Sequence, residues 1–146
     1  MDLGERSFLE QSKRRVLIVD DSPQVRQELR TLLPLASDIE IVGEASAGRE
    51  AVRLVQTLQP EVVLMDLEMP VLDGYQATRQ IKAGFPACRV VALTVYGDPA
   101  SRIRAAEVGV DAFLVKGVSV ESLVQAISAR PSDPTGCGQM TPVANP

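Results

Sequence analysis

Histidine and tryptophan are absent from the chain, and cysteine occurs only twice. Without histidine there are no imidazole zinc ligands, no Ser/His or Cys/His catalytic pair and no phosphohistidine on this chain. Cys88 and Cys137 stand far apart and outside any CxxC pattern, so both are expected as free thiols rather than a bridge. No apolar run approaches the roughly 18 residues a membrane span needs, and the opening MDLGERSFLEQSKRR lacks the apolar core of a signal peptide. A cytoplasmic protein without membrane contact is expected. An excess of basic charge is also missing: 15 Lys and Arg face 19 Asp and Glu, a net charge of −4. That balance argues against a non-specific grip on nucleic acid. The chemistry left open is carboxylate chemistry.

What the 146 residues do contain is enough apolar material, 45%, for one compact domain but not two of ordinary size. Short runs rich in Val, Ile and Leu recur: VLIV (16–19), IEIVGEA (39–45), VVLM (62–65), VVAL (90–93) and AFLV (112–115). They predict five strands. Four are apolar without alternation, as in strands covered on both faces of a parallel sheet, whereas the mixed IEIVGEA suits a sheet edge. Between them lie segments of helical spacing: Val25, Leu29, Leu32 and Leu33; Ala51, Leu54, Val55 and Leu58; Ala77 and Ile81; Ile103 and Ala106; Val120, Leu123, Val124 and Ile127. Ser22-Pro23 and Asp98-Pro99 mark helix starts, Ser119 a further N-cap, and Gly109 a C-cap. Strict alternation of strand and helix predicts a doubly wound α/β domain with a parallel sheet and helices on both faces. It is expected over residues 15–130. Polar or Pro/Gly-rich tails are expected over 1–14 and 131–146.

The polar residues fall in a telling place. VLIV is followed by Asp20 and Asp21, VVLM by Asp66, VVAL by Thr94 and AFLV by Lys116. Each stands at the C-terminal end of a strand, the edge where open α/β sheets bind ligands. Taken singly, each has a plain reading: a helix cap for the Asp pair, loop or turn residues for Asp66 and Thr94, a solvated charge for Lys116. Together they describe one site. Three carboxylates in one place repel unless a cation neutralises them, and oxygen donors without His or Cys suit a hard ion such as Mg²⁺. Asp66 then serves as nucleophile toward a phosphoryl donor, Lys116 as a cationic clamp and Thr94 as a hydroxyl donor to a phosphoryl oxygen.

At this point the chain resembles the receiver domain of two-component response regulators, and among them the receivers that precede LuxR-type DNA-binding domains. The resemblance covers about residues 14–130. It is carried by RVLIVDDSPQVR, EIVGEASAGREAV, PEVVLMDLEMPVLDGYQATRQI, RVVALTVYGD and GVDAFLVKG, in order and spacing. It implies a flavodoxin-like fold with strand order 2-1-3-4-5, and Asp66 as the phosphoacceptor. It further implies Asp20, Asp21, Asp66 and the backbone carbonyl of Glu68 as Mg²⁺ ligands, and Lys116 as the lysine that contacts the phosphoryl group. Thr94 and Phe113 correspond to a switch pair, although from the residues alone Phe113 reads as an ordinary core aromatic. The donor implied is a histidine kinase or phosphotransfer protein, and turnover is limited to slow self-phosphorylation and dephosphorylation. The expected output is an altered protein-interaction surface formed by the fourth helix, fifth strand and fifth helix. A homodimer through that surface, or through the first and fifth helices, is compatible with the sequence.

Some positions depart from the pattern or vary within it. Val95 stands where a small residue is usual and is expected to narrow access to the site. Gly117 replaces a frequent proline after Lys116, so a cis peptide is not implied there. Glu68 and Tyr96 occupy variable positions beside the site and read either as tuners of phosphoryl lifetime or as solvent-facing residues. Sixteen residues after position 130 are too few for a helix-turn-helix domain, so either the output passes through protein contacts or the sequence is part of a longer chain, and direct nucleic-acid binding by these residues is not expected. The alternative is a receiver-fold interaction module independent of phosphorylation, which the intact acidic and Lys/Thr set disfavours. A phosphohydrolase lacks its further acid or base, because Asp66-Leu67-Glu68 gives no Asp-x-Asp, and a flavin site lacks a glycine-rich loop after the first strand.

Overall fold

The computed structural model describes residues 13–129. The expected tails therefore lie outside the described residues, except at their inner limit. There Arg14 corrects the boundary: it opens the first strand, and its guanidinium donates to the carbonyls of Ile127 and Ala129 at 3.2 and 2.6 Å. Strands β1 (Arg14–Val19), β2 (Ile39–Ala45), β3 (Val62–Met65), β4 (Arg89–Thr94) and β5 (Ala112–Val115) alternate with helices. The helices are α1 (Pro23–Ala36), α2 (Gly48–Leu58), α3 (Gly74–Gly84), α4 (Pro99–Val108) and α5 (Val120–Ser128). The sheet is parallel throughout, in the order β2-β1-β3-β4-β5.

Because successive side chains on a strand point to opposite faces, each central strand supplies two cores. Leu17, Val19, Val63, Met65, Val90 and Ala92 pack with Ala51, Val55, Ala77, Ile81 and Ala105, which α2, α3 and α4 bring to one face. Val16, Ile18, Val62, Leu64 and Val91 pack with Leu33, Leu123 and Ile127 of α1 and α5 on the other. Full burial of each large side chain contributes about 1.5–3 kcal/mol, which is what keeps the helices on the sheet. The mixed strand β2 takes one edge, as its pattern implies. Strand β5 takes the other, so its uniformly apolar run is not fully covered and Leu114 and Val115 remain partly exposed.

The helix boundaries follow their sequence signals. The Ser22 hydroxyl accepts from the Val25 amide, Asp98 from Ser101 and Ser119 from Ser122, while Gly109 ends α4 in the left-handed region at φ 101°. Three expected core positions face outward instead: Leu32 is 46% exposed, Ile103 44% and Val120, at the start of α5, 38%. On α1 the inward-facing row is the partly buried Val25 and Leu29 and the fully buried Leu33, and a residue one step before Leu33 is turned about 100° away. On α4 the row is Ala105 and Val108, which leaves Ile103 on the far side. Among the described residues no helix is long and apolar enough to cross a membrane.

Candidate functional site

The strand order brings the polar strand ends together. β1, β3, β4 and β5 are consecutive neighbours, and their pairing continues one residue past the strands. Asp66 N–H donates to the Val19 carbonyl at 2.9 Å, and Lys116 N–H to the Thr94 carbonyl at 2.7 Å. Asp20, Asp66 and Thr94 are buried, at 2%, 4% and 0% exposure, while Asp21 is exposed. The Lys116 ammonium lies 2.8 Å from Asp20 Oδ2 and 3.7 Å from Asp66 Oδ2. Asp20, Asp21 and Asp66 each bring a carboxylate oxygen into a cluster within 4.8 Å. Neither aspartate of the pair caps α1, since Ser22 does so; Asp20 Oδ1 instead accepts from the Ser22 amide at 2.9 Å. Glu68 is exposed, and its amide donates to Asp66 Oδ1 at 3.1 Å.

Thr94 and Phe113 share one face of the sheet. Ala92 pairs with Phe113 and Thr94 with Val115, so Thr94 and Phe113 project on the same side, two residues apart in register. Phe113 is buried in the larger core cluster, with the Arg102 guanidinium 4.8 Å from its ring centre. Arg102 also donates to the Gly97 carbonyl at 3.0 Å and so ties α4 to the loop that follows Thr94. Val95 and Tyr96 in that loop are more than half exposed, and the peptide after Lys116 is trans, with Gly117 at φ 105°.

Burial pushes the Asp66 carboxyl up to about 6, and the charges of Asp20 and Asp21 push in the same direction against the Glu68 amide and Lys116. Burial lowers Lys116, but the hydrogen bond to Asp20 and the charges of Asp66, Asp20 and Asp21 outweigh it and raise it overall. Three carboxylates thus face one ammonium, and the surplus is negative. Oxygen-only donors with uncompensated negative charge fit a hard divalent cation such as Mg²⁺.

The residues predicted for the site are all found at this sheet edge or on the strands that lead to it. Three others that matter were not singled out by sequence. Gly74 opens α3 directly against the end of β3: a Cβ there would stand 2.1 Å from the Asp66 carbonyl oxygen. A glycine at the first helical position after the Asp73 cap, where a better helix former is usual, was the available signal. Arg26 and Arg102 are helix-surface arginines by spacing, and only their contacts distinguish them.

Comparison with known proteins agrees with this geometry. Residues 16–128 match the family model described as the response regulator receiver domain. Response regulator protein VraR of Staphylococcus aureus is 39% identical over 113 residues, which cover 77% of this chain and 54% of VraR. The chain therefore spans about half the length of the curated relatives it matches. A two-component response regulator of the LuxR family from Aurantimonas sp. SI85-9A1 superposes with a TM-score of 0.77 at 32% identity, covering 90% of this chain and 97% of that one. The receiver domain of the response regulator NarL from Mycobacterium tuberculosis gives 0.75 at 31% identity, covering 79% and 93%. Sequence, topology and the acidic sheet edge together identify the chain as a member of the response regulator receiver domain family of two-component signalling.

Proposed function

We propose that this receiver accepts a phosphoryl group on Asp66 from a histidine kinase or phosphotransfer protein in the cytoplasm. The observation that carries the reading is the convergence of Asp20, Asp21 and Asp66 with the Lys116 ammonium between two of them. Asp20, Asp21, Asp66 and the Glu68 backbone carbonyl would hold Mg²⁺. When bound, the cation supplies the positive charge that keeps Asp66 ionised and offsets the charge on the phosphoryl oxygens.

A carboxylate oxygen of Asp66 attacks phosphorus, the bond to the donor nitrogen breaks, and the electron pair leaves with the donor's imidazole. The Glu68 amide orients the carboxylate through Oδ1. Lys116 neutralises phosphoryl charge, and the Thr94 hydroxyl donates to a phosphoryl oxygen. Drawing Thr94 toward the phosphoryl group opens space on the face it shares with Phe113, which favours the buried position of that ring and repacks α4, β5 and α5. The product is a signal rather than a released compound, so turnover stays confined to slow gain and loss of the phosphoryl group.

Intact mass after incubation with Mg²⁺ and a small acyl phosphate tests this. Wild type should gain one phosphoryl group and Asp66→Asn none. No gain in wild type would mean that the fold serves docking without phosphorylation.

A further inference from the structure

Arg26, in the first turns of α1, joins the acidic pair to the edge strand of the sheet. Its Nη1 donates to the backbone carbonyl of Asp20 at 2.6 Å, and its Nε donates to Glu44 Oε1 on β2 at 3.2 Å. The other oxygen of Glu44 is taken by Arg30, one turn further along α1. Glu44 is thus held between two arginines and fixes the plane of the Arg26 guanidinium.

The carbonyl that Arg26 grips belongs to the Asp20–Asp21 peptide. Asp20 is already fixed on its other sides, by its amide to the Ala45 carbonyl at 3.0 Å and by its carboxylate to Ser22 N–H and Lys116. Asp21 is exposed, so where its carboxylate points depends on the orientation of the peptide leading to it. Rotation of that peptide would swing Asp21 away from Asp66.

We propose that Arg26, oriented by Glu44, is a positioning residue for the cation site and sets the Asp20–Asp21 peptide so that both carboxylates face Asp66. This rests on the reading above that the three aspartates hold Mg²⁺. Two effects of Arg26 have opposite signs, which makes the proposal decidable. As a positive charge near a cation site it repels Mg²⁺, so its removal would tighten binding if charge alone mattered. As the holder of the peptide it favours Mg²⁺, so its removal weakens binding.

Calorimetric Mg²⁺ titration of wild type, Arg26→Met, Arg26→Lys and Glu44→Gln separates them, with folding of each metal-free variant checked by circular dichroism and thermal unfolding. Arg26→Met should bind Mg²⁺ roughly tenfold more weakly. Arg26→Lys, which keeps the charge and one bond to the carbonyl, should fall between it and wild type, and Glu44→Gln should weaken binding in the same direction. In metal-free protein the Ser22 amide should exchange with solvent faster in Arg26→Met than in wild type. Unchanged or tighter Mg²⁺ binding by Arg26→Met overturns the positioning role; should that variant fail to fold, unchanged binding by both Arg26→Lys and Glu44→Gln overturns it. Failure of wild type itself to bind Mg²⁺ overturns the cation reading beneath it.

Discussion

Asp66 concentrates the electrostatic conflict of the molecule in one carboxyl group. Its pKa stands at about 6 instead of 3.8, first because it is buried and then because Asp20 and Asp21 are near. The folded protein therefore holds the Asp66 proton more tightly than the unfolded chain does. The stability this group contributes is complete below about pH 3.8 and is lost as pH rises through about 6. The loss amounts to about 3 kcal/mol. In metal-free protein at pH 7.5, Asp66→Asn should be more stable than wild type by roughly 1–3 kcal/mol, since the amide also gives up the attraction of Lys116. The difference should shrink toward pH 4. Urea unfolding at both pH values reads it directly, and a pH-independent difference would contradict the assigned conflict. Adding Mg²⁺ should raise wild-type stability more than that of the variant.

At this scale the sequence was informative wherever a polar side chain directly followed an apolar run. Asp20, Asp66, Thr94 and Lys116 stand out because strand ends are recognisable and open α/β sheets gather their chemistry there. Arg26 and Arg102 were not legible, because an arginine on a helix looks the same whether it meets solvent, a carbonyl or an aromatic ring. Phe113 was legible only through resemblance; its register beside Thr94 had to come from the pairing of β4 with β5.

Among the elements, α3 bears most directly on the site, because its first residue packs against the backbone of Asp66. At Gly74 an added methyl would meet the Asp66 carbonyl oxygen at 2.1 Å and the Leu67 Cα at 2.6 Å, and backbone atoms cannot turn aside as a side chain can. Gly74→Ala should therefore cost roughly 2–4 kcal/mol and slow Asp66 phosphorylation by roughly tenfold or more, by shifting the nucleophile. At the other end of the same helix Gly84 faces open space. Gly84→Ala should be neutral or stabilising by up to about 1 kcal/mol and leave phosphorylation unchanged. Thermal unfolding and acyl phosphate labelling of the two variants give the comparison. Helix starts at Ser22, Asp98 and Ser119 were predictable because capping is a local hydrogen bond. The rotation of α1 and α4 about their own axes was not fully predictable. Leu32 and Ile103 are apolar and near the right spacing, but which row of a helix faces the sheet is settled by packing against the strands.

Across the whole molecule, the larger core encloses Cys88, the residue just before β4. Burial pushes its thiol up to about 11, with Asp111 adding and Lys82 opposing. At neutral pH the thiolate fraction is then on the order of a hundredfold below that of an ordinary cysteine, in addition to the steric protection. In a Cys137→Ser background, Cys88 should react with a thiol reagent only as fast as the domain opens globally, and the rate should climb with urea in step with global unfolding. Rapid labelling in native buffer would instead reveal local opening at the start of β4.

The sequence by itself determined the elements, their alternation and the residues at the strand ends, because hydrophobic periodicity, caps and glycine stops act over a few residues. It also determined the residue set from which a carboxylate site can be built. That β1 lies beside β3 and that the β5 run sits at an edge followed from the strand order the resemblance implied and not from the pattern of the residues, and only the tertiary structure decided that Lys116 reaches both Asp20 and Asp66. The same holds for the grip of Arg26 on the Asp20 carbonyl. These depend on the order in which strands pair and on which helix row faces the sheet, and both follow from the packing of segments far apart in the chain.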